Sequence, residues 1–346
     1  MRVAELMWKK DSAVTTVSTR WALIGTGGMA LNIIRDFGLA ENVELTTVVS
    51  RSPEKGAAFA AEWGVPNIVT DYDELWASPD IDVVYIATPH PSHHGQAKAA
   101  IAAGKHVLVE KPITMTVAEA VELRDLAGAT GVFLMEAMWT RFNPVVRKVQ
   151  ELVAAGAVGD PRVAFASFGI PVPFDPESRL WNADLGGGSM LDQGVYPITW
   201  AHLMFGAPSS ISARGTMTPT GVDTQATILL GYPNGQEAIL NCSMTTFLPL
   251  TASISGTAGQ ITLDPPFWGT TGYKVMQLDL AKRSLGDEHV DVPTEGRGYV
   301  PMLRAVSQAI LDGRREHPLC TLSDTIAVME VVEEVLGQLK ASRGAG

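Results

Sequence analysis

Two stretches of the chain carry residue types that could bind or transform a small ligand. The first, WALIGTGGMA, begins at Trp21 and places Gly25, Gly27 and Gly28 directly after four apolar residues. This spacing, with Ala30 at its last small position, is typical of a turn whose backbone N–H groups bind a pyrophosphate at the start of a helix. A glycine turn of no chemical consequence is the alternative, and the surrounding elements decide between the two.

The second stretch is VLVEKPITMTVAEA, in which Lys111 directly follows the apolar run HVLVE. Open α/β sheets bind ligands at the carboxyl ends of their strands, so a lysine at this position is a candidate for a ligand-facing cation. Pro112 could hold a cis or sharply turned peptide that directs the lysine into the crevice. A lysine after a strand is also a common solvated strand end, and the position alone leaves both interpretations open.

The elements around these stretches predict a doubly wound parallel sheet. Short apolar runs rich in β-branched residues alternate with helical segments that end at glycine. The runs are WALIG, VELTTVVS, DVVYIAT, HVLVE and VFLM, and the helical segments are PEKGAAFAAEWG, HHGQAKAAIAAG and TVAEAVELRDLAGATG. This alternation indicates an α/β Rossmann domain, and the glycine turn falls at its first strand-to-helix junction, which favours nucleotide binding.

From about residue 142 the pattern becomes typical of an α+β domain with a large, open, mostly antiparallel sheet. The helix NPVVRKVQELVAAG, the strand RVAFASFGI, a proline-rich loop and the helix SMLDQGVYPITWAHLMFG precede several alternating strands, and two helices close the chain. We therefore expect an N-terminal extension over residues 1–19, a dinucleotide-binding domain over 20–141 and a second domain over 142–346.

Composition restricts the partners of the chain. The 346 residues carry a formal net charge of −11 and no cluster of lysine and arginine, which argues against nucleic acid or an anionic membrane as a partner. No apolar run approaches the roughly 20 residues of a membrane helix. The leader MRVAELMWKKDSAVTTVST has its apolar patch interrupted by charges, so we predict no secretory signal and a cytoplasmic protein.

No metal site is predicted. The two cysteines, Cys242 and Cys320, are distant in sequence and form no CxxC pair. The run HPSHH contains His90, His93 and His94, but no acidic or cysteine ligand is near in sequence. We expect these histidines to start a helix or to belong to a cofactor loop.

The end of the second strand bears on which cofactor binds. A site for NAD usually offers a carboxylate there to the ribose 2′-hydroxyl, whereas this chain has Ser50 and Arg51 in VVSRSPEK. Both side chains suit a 2′-phosphate, so we expect NADP, with NAD possible. The alternative is that Ser50 caps the next helix and Arg51 is a solvated surface residue.

Four motifs in order resemble the glucose-fructose oxidoreductase, inositol dehydrogenase and rhizopine-catabolism family of NAD(P)-dependent oxidoreductases. They are TPHPSHH from Thr88, EKP from Glu110, MEAMWTRFNP from Met135 and LDQGVYPI from Leu191. The resemblance extends from Trp21 to the C-terminus and is strongest to the dimeric dihydrodiol dehydrogenases and NADP-dependent D-xylose dehydrogenases. It implies hydride transfer between nicotinamide and a carbinol carbon of a cyclic sugar, polyol or dihydrodiol, in a homodimer or higher homo-oligomer that packs through the C-terminal sheet.

The resemblance also implies roles for single residues. Lys111 matches the lysine beside the nicotinamide, Tyr196 takes the acid–base position that many members give to histidine, and Asp192 would position Lys111 or bind a substrate hydroxyl. The implied catalytic residues are Lys111, Tyr196 and Asp192, and the implied substrate-binding residues are Lys111, Trp139, Asp192 and Tyr196. The implied cofactor-binding residues are Gly25, Gly27, Gly28, Met29, Ser50, Arg51, Thr88, Pro89, His93, Glu110, Lys111, Trp139 and Arg141.

The chemistry of alcohol oxidation is consistent with these roles. A base must lie within hydrogen-bond reach of the hydroxyl proton. A free tyrosine has a pKa of about 10, and a neighbouring lysine cation favours its phenolate, so Lys111 and Tyr196 form a suitable pair if they converge. A packed tyrosine and a helix-end aspartate at positions 196 and 192 are the structural alternatives. Two other functions stay open, namely NAD(P)-assisted elimination and hydrolysis of a glycoside, and nucleotide sensing without turnover.

Overall fold

The computed structural model describes residues 17–279 and 284–343, so most of the expected N-terminal extension lies outside the described residues. The chain forms two compact units. The first comprises Met1–Trp139 and Thr294–Leu322, and the second comprises Thr140–Pro293 and Ser323–Gly346. The expected boundary after residue 141 lies two residues from the division at Trp139, but the segment Thr294–Leu322, which we expected in the second domain, belongs to the first unit.

The first unit contains a six-stranded parallel sheet in the order β3-β2-β1-β4-β5-β6. Its strands are β1 Thr19–Ile24, β2 Val43–Val49, β3 Asn67–Val69, β4 Val83–Ile86, β5 His106–Val109 and β6 Leu134–Glu136. Its helices are α1 Gly28–Phe37, α2 Pro53–Trp63, α3 Tyr72–Ala77, α4 His93–Ala102, α5 Val117–Thr130 and, from the returning segment, α8 Val300–Leu311. The predicted doubly wound α/β sheet is confirmed, and its strand order reverses between β1 and β4, where such sheets bind ligands.

Local sequence explains most of these elements. The side chains of β1 from Trp21 to Ile24 and of β4 are fully buried, as expected for central parallel strands. Ser52 caps α2 by accepting a hydrogen bond from the backbone N–H of Lys55 at 3.3 Å, and Gly64, with φ of 70°, ends that helix. The sequence analysis did not anticipate β3 and α3, because a three-residue strand with two exposed side chains gives no usable period.

The returning segment attaches to α1 through a buried carboxylate. Asp36 accepts hydrogen bonds from the backbone N–H groups of Arg297 at 2.9 Å and Tyr299 at 2.8 Å. Burial raises the pKa of Asp36, and these backbone hydrogen bonds offset part of that rise. The ring of Tyr299 then lies 4.5 Å from the ring of Trp139, measured between centroids, so this loop determines the surroundings of a residue expected to border the cofactor.

The second unit contains an eight-stranded sheet in the order β14-β13-β12-β11-β7-β10-β9-β8. Its strands are β7 Pro161–Gly169, β8 Ser210–Met217, β9 Asp223–Gly231, β10 Glu237–Ser243, β11 Ala252–Gly256, β12 Gly259–Leu263, β13 Gly272–Asp279 and β14 Ser284–Asp291. Only β7 and β10 pair in parallel, so the predicted, mostly antiparallel sheet is confirmed. The main helices are α6 Pro144–Ala154, α7 Val195–Phe205 and α9 Leu322–Arg343.

Two parts of this sheet differ from the sequence-based expectation. The predicted strand TASISGTAGQITL is a hairpin of β11 and β12, because a turn at residues 257–258 divides it. The edge strand β14 was not anticipated, since its charged sequence SLGDEHVD lacks an apolar period and edge strands commonly carry charges. Among the helices of the described residues, none is both long and apolar enough to span a membrane.

Candidate active site

The glycine turn connects β1 to α1, as predicted. Gly25 has a φ of 110°, and a β-carbon added there would lie 2.8 Å from the carbonyl oxygen of Ala87, so the turn requires glycine at this position. A β-carbon added at Gly27 or Gly28 would meet no atom within 4 Å. Gly27 is also the N-cap of α1 and supplies no side-chain hydrogen bond, which leaves the first-turn N–H groups and the positive helix end for an anionic ligand.

A cavity of about 270 Å³ lies at this turn. Six of the expected cofactor-binding residues line it: Gly25, Gly27, Ser50, Arg51, Thr88 and Pro89. Lys55 and Tyr72 also line it and were not predicted, because nothing in the sequence distinguishes Lys55 from any other exposed lysine of a helix. The described lining residues include two cations and no carboxylate.

Hydrogen bonds fix the rim of this cavity. The Ser50 hydroxyl donates to the carbonyl oxygen of Ser52 at 3.0 Å, so Ser50 shapes the loop while Ser52 caps the helix. Across the cavity, the Thr88 hydroxyl donates to Gln96 at 2.7 Å, and the Gln96 amide donates to the Tyr72 hydroxyl at 2.8 Å. Burial raises the pKa of Tyr72, which keeps this phenol neutral at physiological pH.

Lys111 lies two residues after the end of β5, at the carboxyl edge of the same sheet, and the peptide between Lys111 and Pro112 is cis. The backbone N–H of Lys111 donates to the carboxylate of Glu110 at 3.1 Å. His93 is fully buried, with its Nδ1 2.8 Å from the carbonyl oxygen of Pro112 and its Nε2 2.8 Å from that of Thr88. His93 therefore links the loop after β4 to the turn that carries the lysine.

In the second unit, Tyr196 belongs to a cluster of aromatic rings. The rings of Phe168 and Trp268 stack with centroids 3.8 Å apart and planes 4° apart. Tyr196, at the start of α7, lies 5.7 Å from Phe168 and 5.9 Å from Trp268 between centroids. Phe168 and Trp268 were not predicted, because their proximity depends on how β7 and a later loop meet in the fold.

Asp192 lies one helical turn before Tyr196, but the helix is not the continuous α-helix that we expected. Residues Met190–Gly194 form a π-helical turn, and α7 begins at Val195. Pro197 has no N–H to donate to the carbonyl four residues earlier, which interrupts the regular ladder here. The Arg179 guanidinium lies 3.0 Å from the Asp192 carboxylate. Single π-turns inside helices often occur at functional sites.

The π-turn begins at a second buried carboxylate. Asp223 accepts hydrogen bonds from the Ser189 hydroxyl and the backbone N–H of Met190, both at 2.7 Å. Burial raises the pKa of Asp223. A β-carbon at Gly188 would lie 2.1 Å from a carboxylate oxygen of Asp223, and Gly188 has a φ of 122°, so the run of glycines before the π-turn permits this close approach.

Arg141, also in the second unit, is buried with spare hydrogen-bond donors. The carboxylate of Asp324 lies 4.0 Å from its Nη1, and Asp324 also lies 2.9 Å from Nε2 of His202. Nε and Nη2 of Arg141 find no hydrogen-bond partner within the described residues. Of the implied catalytic residues, Asp192 and Tyr196 occupy successive helical turns of the second unit, whereas Lys111 belongs to the first.

A parallel sheet with a glycine turn at its first junction and a cavity at its switch point defines a dinucleotide-binding domain. The glycine positions, the open helix end and the cation-lined cavity fit an NAD(P) cofactor. Residues 19–138 match the family described as "Oxidoreductase family, NAD-binding Rossmann fold", and residues 146–262 match the "GFO/IDH/MocA C-terminal domain". The chain belongs to this family and is an NAD(P)-dependent oxidoreductase.

Similar proteins are also oxidoreductases, which agrees with this family assignment. The chain is 33% identical over 325 residues to trans-1,2-dihydrobenzene-1,2-diol dehydrogenase of Mus musculus, covering 92% of this chain and 96% of the relative. Aldose-aldose oxidoreductase of Caulobacter crescentus, solved with glycerol, is 26% identical with a TM-score of 0.84 over 94% of this chain and 98% of that one. A 3-ketoreductase of Actinomadura kijaniata, solved with NADP and TDP-benzene, is 27% identical with a TM-score of 0.81 over 93% and 98%.

Gly25 and Gly27 should respond differently to substitution by alanine, because only Gly25 lies against another part of the chain. Gly25→Ala should destabilise the protein by about 1–3 kcal/mol, because alanine strains the backbone and collides with Ala87. Gly27→Ala should leave the melting temperature near that of the wild type and weaken NADP binding by about tenfold or more, since its methyl group occupies the open side of the turn. Thermal unfolding and cofactor titration of both variants check this. Equal binding by the wild type and Gly27→Ala would contradict the placement of the cofactor.

Proposed function

We propose that the protein is an NADP-dependent dehydrogenase that oxidises a ring carbinol of a cyclic sugar, polyol or dihydrodiol. The observation that carries this proposal is the placement of Tyr196 beside the stacked rings of Phe168 and Trp268, with Asp192 one helical turn before it. A phenol, a carboxylate and a flat apolar surface together suit a ring that has hydroxyls at its edge and C–H groups on its face. The mouse relative is named for a cyclic diol, which agrees with this substrate class.

In this proposal, Tyr196 accepts the proton of the reacting hydroxyl, and Lys111 takes the role beside the nicotinamide that the family resemblance implies. Asp192, oriented by Arg179, accepts a hydrogen bond from a neighbouring substrate hydroxyl. Phe168 and Trp268 bind the ring and exclude water. Bound nicotinamide supplies the hydride acceptor. A lysine variant and a tyrosine variant of the Actinomadura ketoreductase have been solved with NADP, which agrees with the choice of a lysine and a tyrosine as the reacting groups here.

The catalytic assignment is tested by removing one hydroxyl. Tyr196→Phe should lower kcat by about 10²-fold or more, because the ring keeps its packing but no longer carries the proton. NADP affinity and the melting temperature should stay near the wild-type values. Steady-state kinetics with cofactor titration measures both quantities.

Tyr232→Phe is the matched control, because Tyr232 is another buried phenol of the second unit and its ring lies 5.1 Å from Phe205. It should retain wild-type kcat. Wild-type turnover by Tyr196→Phe would show that Tyr196 is only a packed aromatic residue.

The proposed preference for NADP rests on the charges at the cavity. Arg51 and Lys55 line it, the Ser50 hydroxyl lies between β2 and the helix cap, and the lining carries no carboxylate within the described part of the chain. A 2′-phosphate would gain charge-assisted hydrogen bonds here, whereas the 2′-hydroxyl of NAD would find no carboxylate acceptor.

Removing Arg51 tests this preference. Arg51→Ala should lower the ratio of kcat/KM for NADP+ to kcat/KM for NAD+. The free-energy difference that corresponds to this ratio should fall by about 1–3 kcal/mol, the range of a charge-assisted hydrogen bond. Arg124→Ala, at a partly exposed position of α5 and outside the cavity lining, should leave the ratio unchanged. Equal use of both cofactors by the wild type would refute the preference.

We further propose that the open face of the large sheet packs against a second copy of the chain. Leu229 of β9 and Ile239 of β10 are paired in register, are 45% and 40% exposed, and continue a row that includes Phe165 of β7. Adjacent exposed apolar side chains on a sheet favour a covered face.

A charge on this row should separate the copies. We expect light scattering at micromolar concentration to show an oligomer for the wild type and a monomer for Leu229→Asp. Leu311→Asp, at a 39% exposed leucine of α8 in the first unit, should remain oligomeric. A monomeric wild type would contradict this proposal.

A further inference from the structure

The turn that carries Lys111 is held at three consecutive residues by buried ionisable side chains. The Lys111 N–H donates to Glu110 at 3.1 Å, and the Ile113 N–H donates to Glu136 at 3.0 Å. Between them, the carbonyl oxygen of Pro112 lies 2.8 Å from Nδ1 of His93. Glu110 and Glu136 are only 6% and 4% exposed, and His93 is fully buried. Burying ionisable groups costs free energy, so three of them around one turn require an explanation beyond packing.

Glu110 is itself oriented from the neighbouring strand. The Tyr85 hydroxyl on β4 donates to one carboxylate oxygen of Glu110, while the other accepts from Lys111. Tyr85 is fully buried in the middle of the sheet. The carboxylate is therefore fixed at both oxygens, and the backbone of Lys111 is fixed with it.

His93 contacts the same turn through its ring. Its Nδ1 lies 2.8 Å from the carbonyl oxygen of Pro112, and its Nε2 lies 2.8 Å from that of Thr88. His93 and the two glutamates thus hold the same short turn from different sides.

We propose that Glu110 and Glu136 are positioning residues that clamp the turn of residues 111–113 and thereby hold Lys111 for its part in the reaction. This inference rests on the proposed function, because it assumes that Lys111 takes part in turnover. Neither carboxylate needs to touch the substrate or the cofactor. Each acts through a backbone N–H, so a neutral side chain that keeps an acceptor oxygen should preserve part of the effect.

The charge on Glu110 provides an independent readout that needs no cofactor. Burial raises the pKa of Glu110 to about 7, against the lowering effects of the Tyr85 hydrogen bond and the Lys111 charge, and the nearby Glu136 charge also raises it. A glutamate in the unfolded chain has a pKa of about 4.3. Between that pH and about 7, Glu110 is therefore protonated in the native state and ionised in the unfolded state. The stability that this group contributes is greatest below about pH 4 and declines as the pH rises through about 7.

The experiment compares pairs of variants at the two positions. Glu136→Ala should lower kcat by about tenfold to a hundredfold with the KM for NADP+ within about threefold of wild type, because the lysine is displaced while the cofactor cavity is intact. Glu136→Gln keeps an acceptor for the Ile113 N–H and should recover most of this loss. Equal losses in Glu136→Ala and Glu136→Gln would overturn the clamp at this residue.

A double-variant cycle separates the clamp from the proposed function. In a Lys111→Met background, Glu136→Ala should lower the residual kcat by less than about twofold, because its effect passes through the lysine. If Lys111→Met alone keeps wild-type turnover, the proposed role of Lys111 fails. If Lys111→Met is strongly impaired but Glu136→Ala costs as much with the lysine as without it, the clamp alone is overturned.

Thermal unfolding of the cofactor-free protein from about pH 5 to pH 8 tests the part of the proposal that concerns Glu110. The stability of the wild type relative to Glu110→Gln should fall as the pH rises through this range. Glu62→Gln, at an exposed position of α2, should follow the wild-type pH dependence. A constant difference between the wild type and Glu110→Gln would overturn the placement of Glu110 as a buried acceptor at this turn.

Discussion

The close approach of Gly25 to the end of β4 is the constraint on which the first unit depends. With no side chain at Gly25, the turn after β1 passes within contact distance of the Ala87 carbonyl, and any β-carbon there would collide with it. This approach brings the carboxyl ends of two central strands together at the point where the sheet reverses its order. The cavity lies at this point, beside the open N-terminus of α1 and the cations Arg51 and Lys55 beyond β2.

Buried carboxylates form a second theme, common to both units. Glu110, Glu136 and Asp223 each accept a hydrogen bond from the backbone N–H of a turn that carries an expected site residue. Asp36 does the same for the loop of Tyr299, whose ring lies beside Trp139. Burying a carboxylate costs free energy unless its oxygens accept hydrogen bonds. Because moving the donor away would leave the buried group unpaired, the donating backbone is held in place. The loops that carry functional residues are thus held by charge-assisted hydrogen bonds in addition to apolar packing.

Sequence patterns were most informative where structure is local. The glycine spacing predicted the turn, since a left-handed backbone conformation such as that of Gly25 favours glycine. The uninterrupted apolar runs predicted the central strands. Lys55 and Trp268 were missed because their importance depends on which elements meet in space. The return of the segment Thr294–Leu322 to the first unit was likewise not predictable, since the apolar face of α8 does not identify the sheet that it covers. The π-turn at Asp192 could have been suspected from Pro197, whose missing N–H interrupts a helical ladder.

The proposed net oxidation of a ring hydroxyl by NADP+ can be measured by following reduced cofactor while the wild-type enzyme acts on a panel of cyclic aldoses, inositols and dihydrodiols. We expect at least one compound to yield reduced cofactor in a one-to-one ratio to the substrate consumed. Consumption of a glycoside with no accumulation of reduced cofactor would instead indicate elimination and hydrolysis with the cofactor regenerated. Tight NADP binding with no consumption of any compound in the panel would contradict the proposed oxidation and favour a nucleotide-sensing role.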